Sequence, residues 1–201
     1  MQLRHSQRQL RVPARNYFVL AEPDSHMRKE LESRIRTGFG QHFQACIEGF
    51  MPELAVYRHA SSAEGVIGIR NAGDEPLFLE SYLDRPIELA VRQLAGTSVQ
   101  RSQIAEVGQF VISDRATVAD FFRDLVPFLQ SQGFEWVCFT GTNRIRALLT
   151  RIGFEGCPVA NATRDRIWAS KDNWGSYYDH EPVVIVGKLA DPHGAWFGNE
   201  D

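Results

Sequence analysis

The sequence predicts an α/β fold in which helices flank a sheet containing one parallel pair of strands. Two observations carry this. Ile104–Ile112 reads as a strand, residues 117–130 repeat apolar side chains at helical spacing, and residues 134–139 (FEWVCF) form a near-continuous apolar strand. A β–α–β crossover of that length joins parallel neighbours with a right-handed turn. The second observation is bulk: 201 residues, 43% hydrophobic and 23% charged, suffice for one domain with a core that needs no staples.

The elements follow in chain order. Residues 1–13 read as a loose basic arm with Arg4, Arg8 and Arg11, and residues 14–201 as a single domain. Residues 16–20 (NYFVL) suit a first strand. Pro23, Asp24 and Ser25 supply N-cap chemistry for a helix reaching about Cys46, with Gly38 and Gly40 as its expected breakpoints. Residues 54–58 and 65–70 are β-rich runs separated by turn-forming residues. Leu77, Phe78 and Leu79 read as extended, and Arg85-Pro86 opens a helix with proline in its first turn. After the central block, residues 142–151 form a short helix closed by Gly153. Residues 161–179 are polar and aromatic-rich without clear periodicity, and residues 183–186 close the chain as a strand.

Composition removes several function classes. A net charge of −3 does not suit general nucleic-acid binding, which needs a clustered positive face. Cys46, Cys138 and Cys157 are three in number and widely spaced, which predicts reduced core thiols and no metal site. No apolar stretch follows the basic start to make a secretory signal, and none approaches the ~20 residues that cross a bilayer. A cytoplasmic location is the expectation.

The stretch Glu106-x-x-Gln109-Phe110-x-Ile112 resembles a strand of the acyl-homoserine-lactone synthases, which read Glu-x-x-Arg-Phe there. Over roughly residues 16–188 the chain is similar to the thermostable hemolysins. The matching stretches are residues 17–21 (YFVLA), Pro76–Asp84, Glu106-Val107-Gly108, Phe139-Thr140 and Trp174–Asp179. The order of elements also resembles the GNAT N-acyltransferase fold. The resemblance implies a mixed, mostly antiparallel sheet with a splayed parallel pair. It also implies transfer of an acyl group from a carrier-protein or CoA thioester to a small-molecule amine or amino-acid-like acceptor. No cofactor would be permanently bound; the thioester is a co-substrate, and acyl-carrier protein a partner.

Two departures bear on the donor. CoA-using members carry a glycine-rich loop after this strand, where backbone amides hold pyrophosphate. Here residues 113–117 read SDRAT, without glycine and with an added acid. Members that use a tyrosine acid have it near the end of the next helix, where this chain has Leu149-Thr150-Arg151. Donor-side positions are then Phe110, Ser113 and Arg115, with Asn143 and Arg144 at the following helix start as an anion site. Asn143 as a plain N-cap is the rival account.

Glu106, set among Ile104, Val107 and Phe110, is the candidate base, because attack by an amine on a thioester needs a proton acceptor. An ordinary glutamate paired with arginine is the alternative. Gly108 suggests a bulge that frees oxyanion-binding amides, or simple packing relief. Gln109 stands where the synthases have arginine. Glu80 and Tyr82 are candidates for an acceptor pocket, against turn-forming acids on a solvated loop. Trp174, Tyr177 and Tyr178 are candidates for a lid over the acyl chain, against a loop merely pinned by aromatics. The rivals to an acyltransferase are a membrane-lysing protein, as the hemolysin resemblance implies, and a non-catalytic binding module of the same shape.

Overall fold

In the computed structural model, residues 17–59, 62–154, 156–167 and 172–189 are described. The expected basic arm and its three arginines lie outside them. Seven strands, β1 (Tyr17–Leu20), β2 (Glu53–His59), β3 (Ser62–Asn71), β4 (Ile104–Ile112), β5 (Trp136–Gly141), β6 (Cys157–Asn161) and β7 (Val183–Lys188), form one sheet ordered β1-β2-β3-β4-β5-β7-β6. Every neighbouring pair is antiparallel except β4 and β5, which run parallel.

The period-2 alternation of the strands divides their side chains between two faces. On one face Ala55, Tyr57, Ile67, Ile69, Ala105, Val107 and Val137 meet α3 (Val118–Ser131). That helix buries Val118, Phe121, Phe122, Leu125, Val126 and Leu129, and each such side chain contributes about 1.5–3 kcal/mol. On the other face, Leu54, Val56 and Val66 pack under α1 (His26–Phe43). Further along that face Ile104, Trp136, Cys138, Val184 and Val186 pack against α2 (Ile87–Ala95) and the 3-10 turn Phe78–Tyr82. The crossover from β5 to the edge of the sheet uses α4 (Asn143–Arg151).

Four local expectations are corrected. Gly38 and Gly40 do not break α1, which continues to Phe43; a Cβ on Gly38 would sit 2.7 Å from Val111, so the glycine lets the helix approach β4. Of residues 77–79 only Leu77 is extended, because Phe78 and Leu79 open a 3-10 turn with their amides toward a carboxylate of β4. A strand is present at Cys157–Asn161 that the sequence does not announce: Pro158 and a register irregularity beside it are tolerated because β6 is an edge strand. Of the three cysteines only Cys138 is buried; Cys46 is exposed and Cys157 half-buried.

Candidate functional site

The ladder between β4 and β5 contains only three pairs, Ile104 with Trp136, Ala105 with Val137 and Glu106 with Cys138. Beyond them β4 runs on to Ile112 and β5 to Gly141 unpaired with each other. Where pairing stops, β4 bulges. Ile67 of β3 faces two residues, because Val66 pairs with Val111 and Gly68 with Gly108. The bulge centres on Gln109, at φ +53°, one residue past the glycine that suggests it in the sequence. A bulge bends its strand and strengthens the local twist, which carries β4 away from β5.

Side chains lock this geometry. Gln109 Oε1 accepts from the Met51 amide at 3.0 Å, and Nε2 donates to the Gly49 carbonyl at 2.7 Å. Arg28 of α1 donates to the carbonyls of Met51 and Pro52 at 2.9 and 2.7 Å. Met51 itself lies across the Gly68–Gly108 pair, where added Cβ atoms would meet its side chain at 2.7 and 2.9 Å. Gly108 thus lets the end of a thioether side chain pack close, and Gln109 holds a loop.

Glu106, only 3% exposed, sits at the last paired position. Its Oε1 accepts from the Leu79 amide at 2.9 Å and its Oε2 from the Phe78 amide at 2.9 Å, while Arg70 donates to Oε2 at 3.3 Å. Burial pushes its carboxyl above the ordinary glutamate value, and the Arg70 charge and two amides oppose that without cancelling it. The same arrangement fixes the start of the 3-10 turn. Arg70 also meets Glu75 at 2.8 Å, so the guanidinium is shared between two acids.

Glu80, in the same turn, has its own set of donors. Its oxygens accept from the Leu77 and Ile87 amides, both at 2.8 Å, and from the Arg101 fork at 2.7 and 3.0 Å. Burial raises its carboxyl, but these donors outweigh it and leave Glu80 below the ordinary value. It borders a groove of about 620 Å³ with Asp74, Glu75, Asp84, Glu88 and Arg101. Tyr82 turns the other way, and its hydroxyl lies 2.5 Å from that of Tyr178.

Tyr178 belongs to an aromatic wall. Trp174 packs on Phe78, Tyr177 and Tyr178 with ring centres 5.6, 5.4 and 6.3 Å away, and Phe39 of α1 flanks it. The Tyr177 hydroxyl donates to the Thr140 carbonyl at 3.1 Å, near the free end of β5. Burial raises the phenols of Tyr82, Tyr177 and Tyr178, so all three stay protonated near neutrality. The wall is strapped to the loop after α1. Cys46 and Asn173 exchange backbone hydrogen bonds, Asp172 accepts from the Glu48 and Gly49 amides, and Ser176 donates to the Phe43 carbonyl.

The donor-side positions are more dispersed. Phe110 turns its ring into the α3 face, 4.9 Å from Phe121 and 5.1 Å from Phe122 between ring centres. The Ser113 amide donates to the Glu64 carbonyl, and Arg115 is exposed. Asp114 accepts from the Ala116 amide at 2.8 Å, so an acid of the chain occupies part of the loop where a phosphate would be sought. Asn143 and Arg144 are exposed at the start of α4, whose N-cap is Thr142. The structure therefore brings together Glu106, Tyr82, Trp174, Tyr177 and Tyr178, engages Glu80 of the same turn with Arg101 and the Leu77 and Ile87 amides, and leaves Ser113, Arg115, Asn143 and Arg144 exposed elsewhere. Arg70, Phe78 and Met51 were not singled out by the sequence. The alternating pattern of β3 marks Arg70 as a charge in an apolar strand, the one available signal.

Many solved structures share this fold, FeeM, MesI and TofI among them. FeeM, an N-acyl amino acid synthase from uncultured soil microbes, superposes with a TM-score of 0.60 at 15% identity, covering 89% of this chain and 92% of that one. MesI, a CoA-dependent acyl-homoserine lactone synthase, gives 0.56 at 18% identity, covering 89% and 90%. TofI in an apo form gives 0.56 at 14% identity, covering 86% and 89%. No curated protein matches the sequence. The fold is GNAT-like, and since residues 21–193 match the family described as thermostable hemolysin, the chain belongs to that family.

Proposed function

We propose that the protein is an N-acyltransferase that moves an acyl group from a thioester, on acyl-carrier protein or CoA, to an amine or amino-acid-like acceptor. The observation that carries this reading is the slot left by the three-pair β4–β5 ladder, with a buried carboxylate at its closed end and phenols along one wall. A slot between diverging parallel strands gives an extended thioester arm backbone groups on both sides. Glu106 accepts the proton of the attacking amine, directly or through a water, and its raised affinity for a proton suits that role. The amine nitrogen forms the new bond to the acyl carbon, and the thiolate leaves. Amides at Gly108–Phe110, beyond the last β5 pairing, stabilise the oxyanion.

The activities of FeeM and MesI, N-acyl amino acid and acyl-homoserine lactone synthesis, agree with this class of reaction. The internal acid at Asp114 favours a carrier-borne donor over one needing a pyrophosphate cradle. Asn143 and Arg144 would then meet the phosphate of the carrier's arm, in a cytoplasmic setting. The test is thiol release from acyl-carrier and acyl-CoA thioesters with a panel of amines and amino acids. Amine-dependent release is the expected result, and silence with every donor overturns the proposal.

The family description favours a second reading, lysis of membranes. No helix among the described residues is long and apolar enough to cross a membrane. Leakage of dye from phospholipid vesicles by the pure protein, with no thioester present, would select that reading.

A further inference from the structure

Arg70 and Glu106 stand directly opposite each other on β3 and β4, so the sheet register holds both side chains on one face. Arg70 has a second partner in the chain that follows it. Its Nε donates to Glu75 at 2.8 Å, whereas its Nη1 reaches Glu106 only at 3.3 Å. Glu75 is exposed and borders the groove, while Arg70 is half-buried and Glu106 buried. The turn that presents Glu75 is fixed in place. The Asn71 side chain accepts from the Gly73 amide at 2.8 Å, and the Ala72 amide donates to the Ile104 carbonyl at 3.0 Å. A Cβ on Gly73 would meet the Ser102 Cα at 2.9 Å, so the turn lies close against the start of β4. An exposed ion pair contributes little to stability. The consequence of this one lies in where it leaves the guanidinium.

We infer that Arg70 is a positioning residue acting through Glu106, and that Glu75 governs it from the surface by holding the guanidinium away from the base. This rests on the acyltransferase reading and adds to it the two residues that tune its base. The other groups around Glu106 carry no competing charge near neutrality. Burial raises both Cys138, across the last pair of the ladder, and Tyr82, at the end of the 3-10 turn, and the Glu106 charge raises them further. Tyr178, beyond Tyr82, is likewise raised by burial. Glu80 of the same turn is matched by Arg101. The Phe78 and Leu79 amides are fixed dipoles. Among the described residues Arg70 is therefore the one full charge that hydrogen-bonds Glu106. The more of that charge Glu75 engages, the more firmly the Glu106 carboxyl keeps its proton.

The test titrates Glu106 directly, through the side-chain carboxyl resonances of ¹³C-glutamate-labelled protein, assigned with Glu106→Gln. Glu75→Gln should lower the Glu106 midpoint by about 0.5–1 pH unit, and Arg70→Gln should raise it by about 1 unit or more. The double variant should titrate like Arg70→Gln alone, because Glu75 acts through the guanidinium. Arg70→Met, apolar and of similar length, stands in if Arg70→Gln does not fold; if neither folds, Glu75→Gln, a surface change, still decides. The pH inflection of thiol release should move with the midpoint, which a merely structural ion pair would leave in place. A midpoint unmoved by Glu75→Gln overturns the inference. So does an equal lowering with and without Arg70, which would be plain repulsion between the two acids. If the midpoints move as expected and no donor releases thiol, the coupling of Glu75 to Glu106 stands and the transferase reading falls.

Discussion

Glu106 does two jobs that chemistry normally separates. It orders the Phe78–Tyr82 turn through two amides, and it keeps a carboxyl with raised proton affinity at the end of a slot. Glu106→Gln should lower turnover roughly 100-fold or more, as loss of a general base does, with chemistry limiting in single-turnover measurements. The wild-type rate should rise with pH through an inflection above the ordinary glutamate value of 4.5. The stability effect has the opposite sign. The folded state holds this proton more tightly than the unfolded chain, so the contribution is complete below 4.5 and is lost as pH rises through the folded value. Denaturant titrations across pH should show that slope in the wild type and a flatter one in Glu106→Gln. The carboxylate was legible in the sequence as an acid in an apolar strand. Its partners were not, since Arg70 and Phe78 lie 36 and 28 residues away and no local pattern links them.

At the level of elements, the glycines of β3 and β4 are not equivalent. A Cβ on Gly68 would press on the Met51 Sδ and also on its Cβ, which the main chain holds, whereas one on Gly108 would meet the mobile Cε end. Gly68→Ala should therefore cost about 1–3 kcal/mol and Gly108→Ala less, read from thermal unfolding. The Asp114 cap makes a different prediction. Asp114→Gly should cost about 1 kcal/mol and lower KM for acyl-CoA relative to an acyl-carrier donor, because it vacates amides suited to phosphate. Unchanged donor preference would count against the assignment of that loop. The β4–α3–β5–α4 block was readable because its hydrophobic period switches cleanly between strand and helix. The bulge was misplaced by one residue because glutamine seldom adopts a positive φ, so nothing in its identity distinguishes it from Gly108. The edge strand β6 was hidden by Pro158, a residue that reads as a breaker.

Across the whole molecule, the sheet is two blocks, β1–β4 and β5–β7–β6, joined at its centre by three residue pairs. The tie between residues 172–176 and 43–49 is a second link between distant parts of the chain. Gly175 lies in that tie at φ +51°, where any Cβ would collide with the Phe43 carbonyl. Gly175→Ala should loosen the aromatic wall more than the sheet. Hydrogen exchange should quicken at residues 172–180 while β2–β4 stay protected, and activity should fall with a modest change in Tm. Equal loss of protection everywhere would show that the tie is integral to the core. This arrangement was beyond reach of the sequence, because the tie joins residues more than 120 positions apart. It also bears on how the protein is made. Strands β1–β4 can pair as they leave the ribosome, but the Asp172 carboxylate that receives the Glu48 amide emerges 124 residues after it. The aromatic wall is therefore completed only after residues 172–178 have been made, and a nascent chain halted after β5 would carry Glu106 without Trp174, Tyr177 and Tyr178 beside it.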